Sequence, residues 1–140
     1  MKDTLGRLLR LRSLLEDVSR LELELRLQKL AQIEARLDHL GKNIKADRSR
    51  RFIGIMQSDS TLRAETEALI ELATWQQEML SGEHQKKTAE ADAAKAEYLE
   101  RRKELRQVES VVEARSARNA VARSRAEQRA LDDWFSLKSK

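Results

Sequence analysis

The chain has 140 residues, of which 37% are charged, 40% hydrophobic and only 4% aromatic, with a formal net charge of +4. That length fits one domain, but so little bulky volume cannot wall an enclosed catalytic cavity, and abundant Ala, Glu, Leu, Lys and Arg at helical spacing points to a coiled coil. With no Cys in the chain, disulfides and thiolate zinc sites are excluded, and no run of about 18 apolar residues is present to span a membrane.

There is no Pro, and Gly occurs only at Gly6, Gly41, Gly54 and Gly82. The opening stretch Leu5-Gly6-Arg7-Leu8-Leu9-Arg10-Leu11-Arg12 is basic and leucine-rich. It reads as the first turns of a coiled coil, with an interfacial or targeting helix as the alternative; arginines interrupt any signal-peptide core, and the pattern runs on into heptads. Leu11, Leu14, Val18, Leu21 and Leu25 recur at 3,4 spacing, as do Leu30, Ile33, Leu37, Leu40 and Ile44, which predicts an a/d seam. Leu21, Leu23, Leu25 and Leu27 alternate with polar residues as a strand would. Leu, Glu and Arg are helix formers and heptads flank both sides, so a helix is expected here too.

The apolar stripe then lapses. Residues 45–51 offer no seam position, and Phe52-Ile53-Gly54-Ile55-Met56 is apolar without helical spacing. Ser58, Asp59, Ser60 and Thr61 are candidate N-caps for a new helix. Leu62, Leu69, Leu72 and Met79 restart the pattern, and Ala91, Ala94, Tyr98, Leu105, Val108 and Val112 continue it, skipping a step at Arg101. Ser81-Gly82 is a second candidate turn, but the pattern resumes too evenly around it. The expected architecture is all-α: two long helices in an antiparallel coiled-coil hairpin forming one domain over residues 1–140. Helix 1 covers about 4–53, the turn about 54–60 and helix 2 about 61–137.

A turn near residue 57 pairs positions whose numbers sum to about 114, so Leu5 is expected opposite Glu109. The C-terminal helix then overhangs. At about 1.5 Å per residue, residues 111–137 project some 40 Å without an internal mate. They still carry Val111, Val112, Val121, Leu131, Trp134, Phe135 and Leu137. Isolated helices are marginal in water, so an overhang with apolar residues and basic flanks predicts a binding element. Charge is segregated in the same sense. Residues 59–100 hold 4 basic and 10 acidic groups, a net −6, whereas residues 101–129 hold 9 and 4, a net +5.

No constellation points to catalysis. His39 and His84 lack a His or carboxylate at i+4 and read as surface residues. Asp132 and Asp133 are adjacent on a helix, unsuited to act as a paired acid and base, and no Gly-rich phosphate loop occurs. The chain is read as not an enzyme, with no cofactor and no metal. Residues 113–125, with Asn119 among arginines, resemble the basic region of leucine-zipper transcription factors. Glu127 stands where that pattern has Arg, and about a dozen residues are too few for a following zipper, so no nucleic-acid partner is expected. Trp75, just off the Leu72–Met79 spacing, is expected to pack; Trp134-Phe135 is expected to anchor a partner.

The proline-free hairpin pattern and the ending Arg115…Arg125-Ala126-Glu127-Gln128-Arg129-Ala130-Leu131-Asp132-Asp133-Trp134-Phe135 resemble the FliJ/YscO-type stalk proteins of type III secretion. The N-terminal Arg7-Leu8-Leu9-Arg10-Leu11-Arg12 is similar to the injectisome branch. The resemblance implies a cytoplasmic protein at the face of a bacterial secretion apparatus. It would enter the pore of a hexameric secretion ATPase as a monomer, link it to an export gate protein and handle secretion chaperones, without membrane insertion. The partner-binding residues are then Arg115, Arg118, Val121, Arg123, Arg125, Gln128, Arg129, Leu131, Asp132, Asp133, Trp134 and Phe135. The competing expectation is a structural or adaptor coiled coil that dimerises through the same stripes, unrelated to an ATPase.

Overall fold

The computed structural model describes residues 3–139. These form two long helices that pack against each other, α1 (Thr4–Met56) and α2 (Ser60–Lys138), and no strand occurs among the described residues. Gly41 lies inside α1, and Ser81-Gly82 lies inside α2. By their contacts the residues divide into two compact units, Met1–Ser19 with Tyr98–Lys140, and Arg20–Glu97. Both helices contribute to each unit.

In the unit Arg20–Glu97 the inward positions of α1 are Leu23, Arg26, Leu30, Ile33, Leu37, Leu40, Ile44, Asp47, Arg51 and Gly54, all buried or half-buried at an unbroken 3,4 spacing. Those of α2 are Ile70, Ala73, Gln77, Leu80, His84, Lys87, Ala91 and Ala94, again at 3,4 spacing. Large Ile33 and Ile44 on one helix, with small Ala73, Ala91 and Ala94 on the other, make a narrow core that needs no aromatic. Two side-chain contacts join the helices, the Arg26–Glu90 ion pair at 3.0 Å and a His84–Glu34 hydrogen bond at 3.1 Å. As the α1 partner moves from 26 to 34, its α2 mate moves from 90 to 84.

In the other unit, Leu5, Leu9, Arg12, Glu16 and Ser19 continue the same spacing on α1, beside Tyr98, Arg101, Leu105, Val108 and Val112 on α2. This seam is markedly more polar. Ser19 is buried, and its hydroxyl donates to the Glu16 carbonyl at 3.0 Å. The Arg12 guanidinium donates to Glu104 at 2.7 Å, a carboxylate that Arg101 also reaches at 3.3 Å. Arg12 therefore meets a residue two positions beyond the 102 that the expected pairing would give.

The structure corrects half of the sequence-derived seam. Leu11, Leu14, Val18, Leu21 and Leu25 are all exposed, Leu14 at 59%. So are Leu69, Leu72 and Met79, and Trp75, expected to pack, is 57% exposed. The reason is phase. Leu30–Ile44 bury one face of α1, and a straight helix carries that face backwards to 26, 23, 19 and 16, whereas Leu25 lies five residues, about 140° out of line, before Leu30. Following Leu25 would need a break in the helix, and accommodating short or ion-paired polar side chains in the seam costs less. On α2 the phase of Ala91 and Ala94, carried backwards, lands on Leu80, Ala73 and Ile70, one residue away from Met79, Leu72 and Leu69.

The apolar lapse after Ile44 is not a helical lapse. Asp47 and Arg51 hold the inward positions, and α1 runs to Met56 rather than to about 53. Its end is a Schellman closure: Ser58 N donates to Ile55 O at 3.2 Å and Asp59 N to Gly54 O at 2.8 Å, with Ser58 in the left-handed region at φ 52°. Asp59 then caps α2, its Oδ1 accepting from Leu62 N at 3.1 Å. One residue thus closes one helix and opens the next. Gly54 allows the approach, since a Cβ there would lie 3.2 Å from Arg63 N. Thr66, fully buried, satisfies its hydroxyl against the Leu62 and Arg63 carbonyls at 2.8 and 3.0 Å.

Candidate partner-binding surface

Burial on α2 stops at Val112. Every residue from 113 to 139 is exposed, although α2 continues to Lys138. No side chain here can be held by a core, so helix propensity and local pairs carry the segment. Ala114, Ala117, Ala120, Ala122, Ala126 and Ala130 supply the best intrinsic helix former at regular intervals and keep the helix slim. Gln128 donates to Asp132 at 3.1 Å, one turn on.

The apolar residues of this segment are Val121 at 49% exposure, Leu131, Trp134, Phe135 and Leu137, all outward. Trp134 and Phe135 meet edge-to-face, ring centroids 5.0 Å apart at 73°, and the Lys138 ammonium lies 4.6 Å over the Trp134 ring. These contacts preorganise the two aromatics without hiding them.

At about 100° per residue the twelve sequence-derived positions do not share one face. Arg118, Val121, Arg125, Gln128, Asp132 and Phe135 follow each other at 3,4 spacing and form one continuous stripe. Leu131 and Arg129 flank it on either side. Arg115 and Asp133 lie further round, and Arg123 and Trp134 lie on the far side. The segment therefore presents functional groups around its whole circumference, a property suited to being enclosed rather than laid in a one-sided groove. Arg115 and Arg123 also line a shallow groove with Leu5, Leu9, Val112 and Ala120.

Sequence reasoning missed the pairing of a histidine. His84, read as a bare surface histidine, is half-buried in the seam, its Nε2 3.1 Å from the Glu34 carboxylate. Its mate lies 50 residues away, beyond any i+4 search. His39 contacts Asn43 at 3.3 Å on the surface. Among the described residues no group of three or more His, Asp or Glu could hold a metal, and no helix is long and apolar enough to cross a membrane.

The class these features define is an all-helical protein of two long packed helices whose final turns are fully exposed. No protein-family model, curated protein or solved structure matches the chain.

Proposed function

We propose that the chain is an antiparallel coiled-coil hairpin with a C-terminal overhang, and that it is a central stalk of the FliJ/YscO type in a bacterial type III secretion apparatus. In this reading residues 113–139 enter the pore of a hexameric secretion ATPase. The paired helices reach toward an export gate protein and engage secretion chaperones at the cytoplasmic face, and the chain acts as a monomer without catalysis of its own. The contacts Arg26–Glu90 and Glu34–His84, whose α2 members descend as the α1 members ascend, support the antiparallel arrangement.

The observation that carries the reading is the uninterrupted exposure of residues 113–139 with polar, basic and aromatic groups on all sides. A ring of six identical subunits cannot match one asymmetric helix with six equal salt bridges. A slim, Ala-rich helix with distributed arginines suits loose contact with every subunit in turn. Trp134 and Phe135 are the anchors, each plausibly about 1 kcal/mol or more.

The test is binding to the cognate hexameric ATPase. Trp134→Ala with Phe135→Ala is expected to weaken association, and Arg123→Glu, Arg125→Glu and Arg129→Glu to weaken it in a salt-dependent way, most at low salt, screening acting over about 8 Å at physiological ionic strength. Unchanged ATPase binding by both variants sinks the proposal.

A second reading rests on the exposed stripe Leu11, Leu14, Val18, Leu21 and Leu25. A structural or adaptor coiled coil would dimerise through it. Solution mass separates the two: the stalk is a monomer, the adaptor a stable dimer that Leu14→Lys with Val18→Lys dissociates.

A further inference from the structure

The turn at residues 57–59 carries a feature that the stalk reading does not use. Phe52, Ile53, Ile55 and Met56 close α1 with all four side chains exposed, Met56 at 70% and Phe52 at 62%. Relative to the buried Gly54 they fan across the outward half of the helix, roughly 160° from Ile55 to Ile53. A groove reads a narrow stripe; this is a blunt, convex apolar end.

Behind it stands a basic collar. Residues 42–51 contain Lys42, Lys45, Arg48, Arg50 and Arg51 against the single acid Asp47, a net +4. Asp47 faces the seam and is engaged by Arg50 at 3.3 Å. On the other side of the turn Asp59 is committed to its cap and Glu67 to Arg63 at 3.4 Å; Glu65 is the remaining nearby acid. At about 1.5 Å per residue, Arg48, Arg50 and Arg51 stand roughly 8–12 Å behind Met56 along the axis. That offset matches the ~5–10 Å depth to which interfacial apolar groups enter a bilayer. A second copy of the chain is a poor occupant, because it would bring two such collars together.

We propose that this turn docks on an anionic membrane surface, Phe52, Ile53, Ile55 and Met56 entering the interfacial layer while the exposed Arg48 and Arg50 meet lipid phosphates. The contact is peripheral. The apolar residues supply insertion and the collar supplies preference for negative headgroups, so neither suffices alone.

The experiment is flotation of the full chain with vesicles of phosphatidylcholine alone and of phosphatidylcholine with phosphatidylglycerol. The chain is expected to float with the anionic vesicles and not with the neutral ones. Phe52→Ser with Met56→Ser, and separately Arg48→Glu with Arg50→Glu, are each expected to lower recovery roughly tenfold, with helix content by circular dichroism unchanged. Leu72→Ser with Met79→Ser, which removes exposed apolar surface on α2, is expected to float like the parent. Because the chain has no Cys, a single Met56→Cys carrying an environment-sensitive fluorophore reports insertion directly, as a blue shift on anionic vesicles only. Absence of flotation assigns the turn to a protein groove and overturns the proposal. So does equal binding to both vesicle types, or a loss in the Leu72/Met79 variant that matches the loss in the tip variant.

Discussion

Residues 20–97 and residues 113–139 are built from nearly the same residue types and are helical throughout, yet one region has a core and the other has none. In the first, Ile33, Ile44, Ile70, Ala73, Leu80, Ala91 and Ala94 are buried by two facing 3,4 patterns. In the second, Val121, Leu131, Trp134, Phe135 and Leu137 all stay exposed, and no residue is buried. Apolar content alone therefore decides nothing here. Leu11, Leu14 and Val18 sharpen the point, being as apolar as the core and as exposed as the C-terminal segment.

The largest expected effect tests the core. Leu80→Asp buries a carboxylate between the helices and is expected to cost about 3 kcal/mol, read as a lowered urea midpoint. Leu14→Asp, the same change on the exposed stripe, is expected to stay within about 0.5 kcal/mol. If the two variants unfold alike, the assignment of the seam is wrong.

The turn comes next. Asp59→Ala removes the α2 cap and leaves Leu62 N without its partner, an expected loss of about 1 kcal/mol in thermal unfolding. Ser58→Gly relieves the left-handed backbone at φ 52° and is expected to stabilise by about 0.5 kcal/mol, after the larger entropy of Gly in the unfolded chain is offset. A destabilised Ser58→Gly would contradict the Schellman closure. The smallest effect belongs to the exposed segment: Trp134→Ala with Phe135→Ala is expected to change stability by less than about 0.5 kcal/mol, since both rings are exposed. A clear drop in melting temperature would show that they have a core after all.

Much of the candidate site and part of the seam were legible in sequence. Leu30 to Ile44 and Ala91 to Val112 were read in the correct phase because apolar side chains hold consecutive seam positions there. Leu11 to Leu25 and Leu69 to Met79 were read in the wrong phase because apolarity marks those positions more strongly than the polar or small residues that are in fact inward. Arg12 and Arg26 look like surface until their partners Glu104 and Glu90 are known, and Ser19 until its hydroxyl is seen donating to the Glu16 carbonyl. The twelve proposed partner-binding residues were expected on one exposed helix, and their exposure is seen, but their distribution around its whole circumference emerged only from their angular positions along a continuous α2.

What the sequence by itself determined is local. Absent Pro, abundant helix formers and a single cluster of cap residues leave two long helices and one short turn as the outcome, since each rests on interactions within four or five residues. What only the tertiary structure decided is rotation: which face of each helix is inward, and that His84 meets Glu34. A helix can turn about its own axis at no local cost. Its phase is set by the partner helix, through burial summed over many turns, and a few turns with stronger local apolarity cannot override that sum without breaking the helix.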